Sequence, residues 1–585
     1  MKHQEVASLR GQLSSHYHIM SKTLQLRAKR CLQSLLVAIV CIVAGDLNAQ
    51  VRSSFVSSPS FTQPSVVITD ILKTGEELER KGLWGDALTL YERAQKVHAQ
   101  SKDIEKKLFN ARTHFDVKRR YADPAFIRTV QSTSLLTAQN ILSEVLLKIE
   151  THYVNQPEWV MLVRQGLANV DVALYESTFQ KQHLATQAEA NINYAYQRIH
   201  QIAQQFRVGT HKNAFDFAAA IAKSLETDLG ISQQVTLFEF INGATTALDA
   251  YSSFLTGDQY AEVMSQIDGN FVGLGIEIRP RKDTLQIMAV IPKGPADKSG
   301  LQKGDYILSI DRQVVAEVGG DAAADLLKGP AGTLLTLQIQ RGQNQYSLNI
   351  ARSRVDIPSL QDVSIIDKQN GIGYIKLINF QKTTAHSFEQ ALWNLHRQGM
   401  KSLIVDVRGN PGGLLTASVD VADLFVQNGV LVSTKGRNPR EDFIHQARTE
   451  GTWKSLPLTV LVDRDSASAS EIFAGAIADL RRGTIVGETS YGKGSVQGIF
   501  PLNMARGGIR LTTAKFYSPS GRAISDRGVK PDVAIHTTQR PSFDLVSDTN
   551  QVEDKQIQEQ SNQTDRALDA ALSIARQKLL QRKAG

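Results

Sequence analysis

The sequence predicts a multidomain α/β protein with a helical N-terminal region, a small β-rich domain and an α/β core. Three observations indicate this architecture. The chain has 585 residues, which is more than one hydrophobic core usually serves. Helical spacing before residue 265 gives way to short alternating apolar runs broken by glycine and proline. From residue 357 onward, strand patterns alternate with helical ones, as they do in α/β folds.

The composition is that of a soluble globular protein, with 42% hydrophobic and 21% charged residues. The formal net charge is +8, and residues 1–49 hold six basic residues against two acidic ones. Half of the net charge therefore lies in this first segment. The remaining positive charge is too dilute to indicate nucleic-acid binding.

The first segment has the pattern of an export signal. A basic run, Arg27 to Arg30, precedes an apolar stretch from Leu35 to Ala44, which is too short for an ordinary membrane-spanning helix. Ala49 offers a cleavage point. We therefore expect residues 1–49 to be a signal peptide or N-terminal anchor, which would bring the protein to the periplasm or the extracytoplasmic face of a membrane. A buried core helix is the alternative, but such helices seldom follow a basic cluster at the start of a chain.

Both cysteines, Cys31 and Cys41, lie inside this segment, so a processed chain would have none. Disulfides, thiol catalysis and cysteine-ligated metals are then excluded. No H-E-x-x-H motif occurs among the 13 histidines, so a metalloprotease is unsupported. We expect neither a metal nor a cofactor.

The changes in sequence pattern define the predicted domain boundaries. Residues 68–124 resemble one tetratricopeptide-type unit, with Gly82 and Gly85 marking the turn, although a lone unit cannot bury its own face. The predicted segments after the signal are a linker at 50–67, helical regions at 68–124 and 125–265, a β-rich domain at 266–356, an α/β core at 357–541, and a polar tail with a terminal helix at 542–585.

One segment of the core places a serine at the start of a helix. A strand pattern ends at Asp463, and a helical pattern runs from Ser468 to Arg482 before Gly483. The first amides of a helix lack intrahelical partners and can stabilise developing negative charge. Ser468 and Glu471 also form an S-x-x-E capping box, which requires no catalysis. From this segment alone the capping box is the simpler interpretation.

A second segment supplies a lysine in an unusual setting. Lys493 stands between Gly492 and Gly494, which disfavour a helix and allow a close approach to another element. Enclosure would lower the pKa of its ammonium group and free a neutral amine that could accept the serine proton. An exposed loop lysine is the alternative. Gln497 could orient the amine or the hydroxyl, or it could be ordinary polar surface.

A third segment, residues 402–415, reads as a buried strand, a glycine-rich turn and a helix. Such a turn can point backbone amides at an oxyanion, with Gly412 or Gly413 as candidates. A phosphate-binding loop is the competing interpretation. The sequence contains no G-x-x-x-x-G-K-[ST] motif to support it.

Together these segments resemble the carboxyl-terminal processing, or tail-specific, peptidase family, whose members are serine proteases with a Ser/Lys dyad. The resemblance covers roughly residues 240–540. The matching motifs are D-V-R-G-N-P-G-G at 406–413, S-A-S-A-S-E at 466–471, G-K-G-S-V-Q at 492–497 and Y-S-P-S-G-R at 517–522.

The resemblance implies roles for individual residues. The family lysine follows its nucleophile by 25 residues, which selects Ser468 as nucleophile and Lys493 as general base. Gln497 matches a glutamine four residues after the lysine. The oxyanion donors correspond to the amide of Ala469 and to a glycine in 412–413.

The β-rich domain resembles the PDZ domain of the same family. The loop Gly273, Leu274, Gly275 and Ile276 matches the one whose amides receive the terminal carboxylate of a peptide, which would add as a β-strand. A domain used only for packing is the alternative. The helical region 68–240 is longer than the family's usual lead, so partner binding or homo-oligomer formation there stays open.

The sequence thus predicts an exported serine endopeptidase that binds the apolar C-terminal tails of protein substrates and cleaves them through an acyl-enzyme. A catalytically silent PDZ scaffold would share every feature except an intact dyad. A penicillin-recognising hydrolase is suggested by the S-x-x-K string from Ser490 to Lys493, but that motif requires a helix. The accompanying K-T-G at 73–75 lies in the wrong chain order, and no S-D-N occurs.

Overall fold

The computed structural model describes residues 39–41, residues 68–535 apart from 99, 282, 504 and 526, and residues 565–584. The predicted linker, the polar tail up to residue 564 and the predicted signal segment lie outside these ranges, except for residues 39–41. Within the described ranges, every helix falls short of the length and apolar character that a bilayer-spanning helix requires.

Helices fill the described part of the N-terminal region. Their apolar residues recur at helical spacing and bury two clusters, one around Tyr91 and a larger one around Leu142 and Phe238. Gly82 makes the first turn as predicted, but Gly85 lies inside the second helix. The helices are α1 Ile68–Arg80, α2 Trp84–Val97, α3 Lys102–Ala122, α4 Pro124–Ser132, α5 Leu135–His152, α6 Trp159–Tyr175, α7 Ser177–His183, α8 Glu189–Gln205, α9 His211–Leu229 and α10 Gln233–Thr246.

The small domain that follows is built on antiparallel strands, as its alternating pattern predicts. Its main sheet has the order β4-β5-β6-β8-β9 with β7 paired to β6, and a separate pair joins β3 to β10. The strands are β3 Asn270–Gly273, β4 Ile276–Pro280, β5 Leu285–Val290, β6 Tyr306–Ile310, β7 Gln313–Val314, β8 Leu334–Arg341, β9 Asn344–Ala351 and β10 Ser353–Asp356. The helices are α11 Gly257–Ile267, just before the domain, and α12 Pro295–Lys298, α13 Val315–Val318 and α14 Gly320–Leu326 within it.

The core contains a six-stranded sheet of order β11-β12-β13-β17-β18-β21, parallel from β12 to β21. Every residue of β13 and β17 is buried, as expected for parallel strands covered on both faces. The strands are β11 Leu360–Asp367, β12 Ile372–Leu377, β13 Ser402–Asp406, β17 Leu458–Val462, β18 Thr484–Gly487 and β21 Val533–Ala534. The helices are α15 Thr384–Arg397, α16 Leu415–Asp423 and α17 Ala469–Asp479, with a short 3-10 turn at Pro439–Glu441.

A second, antiparallel sheet completes the core. Its order is β14-β1-β19-β20-β15-β16, with β2 paired to β20. One face of this sheet packs against the helical region. Its residues Phe254, Phe500, Ile509 and Leu511 belong to the same apolar cluster as the helices. The strands are β1 Ile39–Cys41, β2 Ser253–Leu255, β14 Gly413–Leu414, β15 Val430–Gly436, β16 Ile444–Gln446, β19 Ser495–Pro501 and β20 Gly508–Tyr517.

The terminal helix α18, Arg566–Ala584, lies on the parallel sheet. Ala567, Ala571 and Ala575 pack in one apolar cluster with residues of β12, β13, β17 and β18. The small side chains let the helix approach the sheet closely. The predicted multidomain α/β fold is confirmed, and the carboxyl ends of β13 and β17 converge on one edge of the core, where ligands bind in open α/β sheets.

Candidate active site

Ser468 lies at the junction between β17 and α17, and its backbone is strained. Its φ is +56°, a left-handed value that residues with a side chain seldom adopt. The residue is fully buried. Such strain persists only where the surroundings enforce it and is common at functional sites.

The three serines of the S-A-S-A-S run differ in their hydrogen bonds. Ser466 Oγ donates to the carbonyl oxygen of Val407 at 2.8 Å, and Ser470 Oγ donates to the carbonyl oxygen of Asn410 at 2.9 Å. The buried Oγ of Ser468 has no hydrogen-bond partner among the described residues. The predicted nucleophile is thus the serine whose hydroxyl is not committed to holding the fold.

The capping interpretation of Ser468 fits only in part. The Glu471 carboxylate accepts from the Ser468 N–H at 2.8 Å, which is one half of a capping box. The Glu471 N–H, however, donates to the Ser468 carbonyl oxygen at 2.8 Å. The Ser468 side chain therefore does not serve as the helix cap.

Glu471 is the residue that sequence reasoning undervalued, because it links the serine to the lysine loop. Its Oε2 accepts from the amides of Ser468 and Lys493 at 2.8 and 2.9 Å. Its Oε1 accepts from Ser490 Oγ and the Gly492 amide, both at 2.6 Å. Burial raises the pKa of the Glu471 carboxyl, although these four hydrogen bonds oppose the shift.

Lys493 is buried, with 3% of its surface exposed, so the solvated-loop alternative does not hold. A Cβ on Gly494 would lie 2.3 Å from the Ser525 nitrogen, which explains the glycine beside the lysine. The Lys493 Nζ lies 4.7 Å from the ring centroid of Tyr251. The S-x-x-K string from Ser490 to Lys493 lies in a loop between β18 and β19 and not on the helix that a penicillin-recognising hydrolase requires.

Gly412 brings the glycine-rich turn against the serine. Its φ is +110°, and a Cβ there would lie 2.9 Å from Ser468 Cβ and 3.0 Å from the Ala469 nitrogen. Any side chain would therefore crowd the start of α17. The Gly412 amide donates to Asn410 Oδ1 at 2.8 Å, whereas Ala469 is the first residue of α17. Of the predicted donors, Gly412 is thus already engaged in this state.

Asn410 is a second residue whose importance the sequence did not reveal. Besides the bond to Gly412, its Nδ2 donates to the Leu377 carbonyl oxygen at 2.8 Å, and its own carbonyl oxygen accepts from the Ala467 amide at 3.0 Å. It therefore joins the glycine-rich turn both to β12 and to the serine segment. Its place inside the G-N-P-G turn was the only available signal.

Gln497 lies fully buried on β19. Its Nε2 donates to Ser495 Oγ at 2.9 Å and to Thr512 Oγ1 at 3.4 Å. Its Oε1 has no hydrogen-bond partner among the described residues. The acceptor end of this side chain is the end that is available for other groups.

The predicted carboxylate-binding loop connects β3 to β4. The Leu274 carbonyl accepts from the Ala296 amide and the Gly275 carbonyl from the Ile291 amide, both at 2.8 Å. In a trans peptide the next N–H points the opposite way, so the amides of Gly275 and Ile276 face away from these contacts. The strand that follows, β4, is an edge of its sheet. An extended peptide could add there.

Comparison with known proteins identifies both domains. Residues 371–535 match the family described as Peptidase family S41, and residues 286–341 match the PDZ domain. The chain is 37% identical over 299 residues to a carboxy-terminal-processing protease of Bartonella bacilliformis, covering 50% of this chain and 68% of that protein. It is 30% identical over 303 residues to a probable CtpA-like serine protease of Staphylococcus epidermidis, covering 51% of this chain and 60% of that protein.

Among solved structures, the photosystem II D1 C-terminal processing protease matches with 25% identity and a TM-score of 0.36, covering 68% of this chain and 93% of that one. The assignment rests on the sequence matches. The Peptidase family S41 match, together with the carboxy-terminal-processing relative, defines a serine-type peptidase that carries a PDZ domain. The chain belongs to peptidase family S41, among the carboxy-terminal-processing proteases. The predicted family and enzyme class are confirmed.

Proposed function

We propose that the protein is an endopeptidase in which Ser468 is the nucleophile and Lys493 the general base. The observation that carries this proposal is the contrast among the three serines, since only the buried hydroxyl of Ser468 has no partner among the described residues. Glu471 ties the backbone of both proposed catalytic residues together. Motif spacing and this shared carboxylate support the same pair, although Ser468 Oγ and the Lys493 amine are not hydrogen-bonded to each other in this structure.

In the proposed reaction the neutral Lys493 amine accepts the Ser468 hydroxyl proton while Oγ attacks the substrate carbonyl carbon. The amide of Ala469, with that of Gly413, would stabilise the resulting oxyanion. The Lys493 ammonium then donates its proton to the leaving amine, which breaks the peptide bond and leaves an acyl-enzyme. A water molecule attacks the ester, Lys493 again accepts and returns a proton, and Ser468 is regenerated.

We also propose that substrates are proteins with free, apolar C-terminal tails. The outward amides of Gly275 and Ile276 support this, because they could donate to a terminal carboxylate while the tail adds to β4. Gln497 would orient the amine or the substrate through its available oxygen. We propose the same domain boundaries as those predicted from the sequence.

Export is proposed from the basic and apolar pattern of residues 1–49. The signal would be cleaved near Ala49, which would remove β1 from the antiparallel sheet, or it would be kept as an anchor. N-terminal sequencing of protein secreted by a bacterial host would decide between the two, and a cytoplasmic, unprocessed product would contradict export.

The dyad is tested with Ser468→Ala, Lys493→Ala and Lys493→Arg. Each should lower turnover of a peptide substrate by at least about 10³-fold, and the losses should not add, because residues that act as one unit are lost together. Lys493→Arg should fail because arginine does not deprotonate. Near-normal turnover in either lysine variant would rule out Lys493 as the base.

A silent PDZ scaffold is separated from the enzyme by covalent labelling. A serine-directed phosphonate should label the wild-type chain at Ser468 and leave Ser468→Ala unlabelled, as read by mass spectrometry. Ser466→Ala is a matched control, which should still label if it folds. Absence of labelling and of turnover in the wild-type chain would favour the scaffold.

Tail recognition is tested in the full chain carrying Ser468→Ala, which binds without cleaving. An apolar peptide with a free C-terminus should bind more tightly than the same peptide amidated. Equal affinity for the two peptides would exclude carboxylate recognition.

A further inference from the structure

The helical region reaches the proposed catalytic lysine through one aromatic residue. Residues 247–252 follow α10, and the ring of Tyr251 has its centroid 4.7 Å from Lys493 Nζ. An amine over an aromatic face is attracted to it when it carries a proton, and in either state it is confined by the ring. None of the family motifs quoted above includes Tyr251.

Tyr251 is held in place from both sides. Asp249 Oδ1 accepts from the amides of Tyr251 and Ser252 at 2.7 and 2.8 Å. Ser252 Oγ donates to Asp249 Oδ2 at 3.1 Å and accepts from the Thr512 amide on β20 at 3.2 Å. The backbone around the ring is therefore pinned to the sheet that also carries Gln497.

The same segment is anchored to the helices. The Tyr153 hydroxyl, at the end of α5, donates to the Leu248 carbonyl oxygen at 2.6 Å. The next residue, Val154, donates its amide to the Thr512 carbonyl oxygen at 2.8 Å. Thr512 thus contacts both the segment that follows α5 and the Tyr251 segment, so the position of the ring depends on how the helical region packs on the core.

A lysine base needs such a restraint. Its four-carbon stem is flexible, and the amine, which is not hydrogen-bonded to Ser468 Oγ in this structure, must come within reach of that hydroxyl to accept its proton. Glu471 fixes the Lys493 backbone through the amide, but this contact does not determine where Nζ lies. The face of the Tyr251 ring lies against the far end of the side chain.

We propose that Tyr251 is a positioning residue that confines Lys493 Nζ with its ring face, so that the helical region completes the active site. This inference rests on the proposed role of Lys493 as general base. The aromatic ring is what matters, and the hydroxyl is secondary. It gives the helical region a role in catalysis that does not depend on a partner protein.

The test compares Tyr251→Phe with Tyr251→Leu in the full chain, using a short blocked peptide substrate. Tyr251→Phe keeps the ring and should retain kcat within about threefold. Tyr251→Leu should lower kcat by about 10²-fold with little change in KM, as expected when a catalytic group is misplaced by about 1 Å. Tyr346→Leu is the matched control, because Tyr346 faces Arg341 in the PDZ domain at 5.8 Å. This control should leave kcat unchanged.

The outcomes separate this inference from the dyad. If Lys493→Ala is inactive but Tyr251→Leu keeps its kcat, the dyad stands and the positioning role is wrong. If Lys493→Ala is active, the dyad itself fails. A loss in Tyr251→Phe as large as in Tyr251→Leu would assign the effect to the hydroxyl and overturn the ring's role. Urea unfolding checks each variant, and Tyr251→Met replaces Tyr251→Leu if the latter does not fold.

Discussion

Glu471 in the protease core and Asp305 in the PDZ domain are both buried carboxylates, but their hydrogen-bond donors differ. Glu471 accepts from three backbone amides and the Ser490 hydroxyl. Asp305 accepts two bonds of 2.7 Å from the Arg341 guanidinium and one of 2.8 Å from the Gln302 amide. The pKa of Glu471 is raised, chiefly by burial, whereas the pKa of Asp305 is lowered because Arg341 and Gln302 outweigh its burial.

This comparison shows that the protein uses buried carboxylates in two different ways. In the PDZ domain the arginine compensates the carboxylate, and the pair joins the turn after α12 to the end of β8. In the protease core the carboxylate keeps an unfavourable environment while it orders the backbone of Ser468 and Lys493. A group that costs stability yet fixes a reactive geometry is typical of functional sites.

Among the tests of this comparison, the largest expected effect comes from Glu471→Gln. Each oxygen of Glu471 serves two donors, so an amide NH2 in either orientation would face two N–H or O–H groups. We expect kcat to fall by about 10²-fold or more, because the loop that carries Lys493 would shift relative to Ser468. Peptide turnover measures the loss. Unchanged turnover would show that this carboxylate is not what aligns the two segments.

Asp305→Asn should have the opposite profile, with a loss of stability and no loss of turnover. It should lower the free energy of unfolding by about 1–3 kcal/mol, toward the lower end because the Arg341 side chain is 35% exposed and partly screened. Turnover of a short peptide should stay normal, since Asp305 contacts no proposed catalytic group. Urea unfolding and kcat, measured on the same sample, check both statements. A kcat loss equal to that of Glu471→Gln would contradict the prediction that Asp305 stabilises the fold without aligning the catalytic residues.

The two carboxylates should also respond to pH with opposite signs. Asp305 has a folded pKa below its ordinary value of 3.8, so its contribution is present above pH 3.8 and is lost as the pH falls through the folded pKa. Glu471 has a folded pKa above its ordinary 4.5, so it contributes a loss of stability as the pH rises from 4.5 through the folded value. The test is the difference in unfolding free energy between the parent and each variant, measured from about pH 2 to 8. This difference should change with pH in opposite directions for the two variants, and changes of the same sign would contradict the prediction.

The smallest effect is expected for Gly275→Ala in the carboxylate-binding loop. Gly275 has a φ of +78°, which costs a residue with a Cβ roughly 1 kcal/mol, and that Cβ would lie 3.3 Å from a Val355 methyl group. Binding of a free-tail peptide to the Ser468→Ala chain should weaken about tenfold or less, while kcat for a short blocked peptide stays unchanged in the otherwise wild-type chain. Undiminished tail binding would place recognition elsewhere.

The sequence by itself determined the fold class, the family and the two proposed catalytic residues, because these depend on patterns that are local in the chain. A strand followed by S-A-S-A-S-E predicts a helix start, and G-K-G predicts a close approach. The serine-to-lysine spacing that the family resemblance implies then selected Ser468 and Lys493. The structure confirmed the predicted fold class and corrected only details, such as the place of Gly85 inside α2.

Only the tertiary structure decided which serine hydroxyl is uncommitted, because Ser466 and Ser470 bond to residues of a turn about 60 positions earlier in the chain. It also gave Glu471 its second role, as the link to a loop 19 to 22 residues later, and it set Tyr251 against a lysine that lies far along the chain. Contacts of this kind form when separate elements pack against one another, and the local periodicity of one sequence does not encode them. The sequence motifs therefore indicated the chemistry of the site, whereas the relative positions of its residues came from the packing of the helical region and the core.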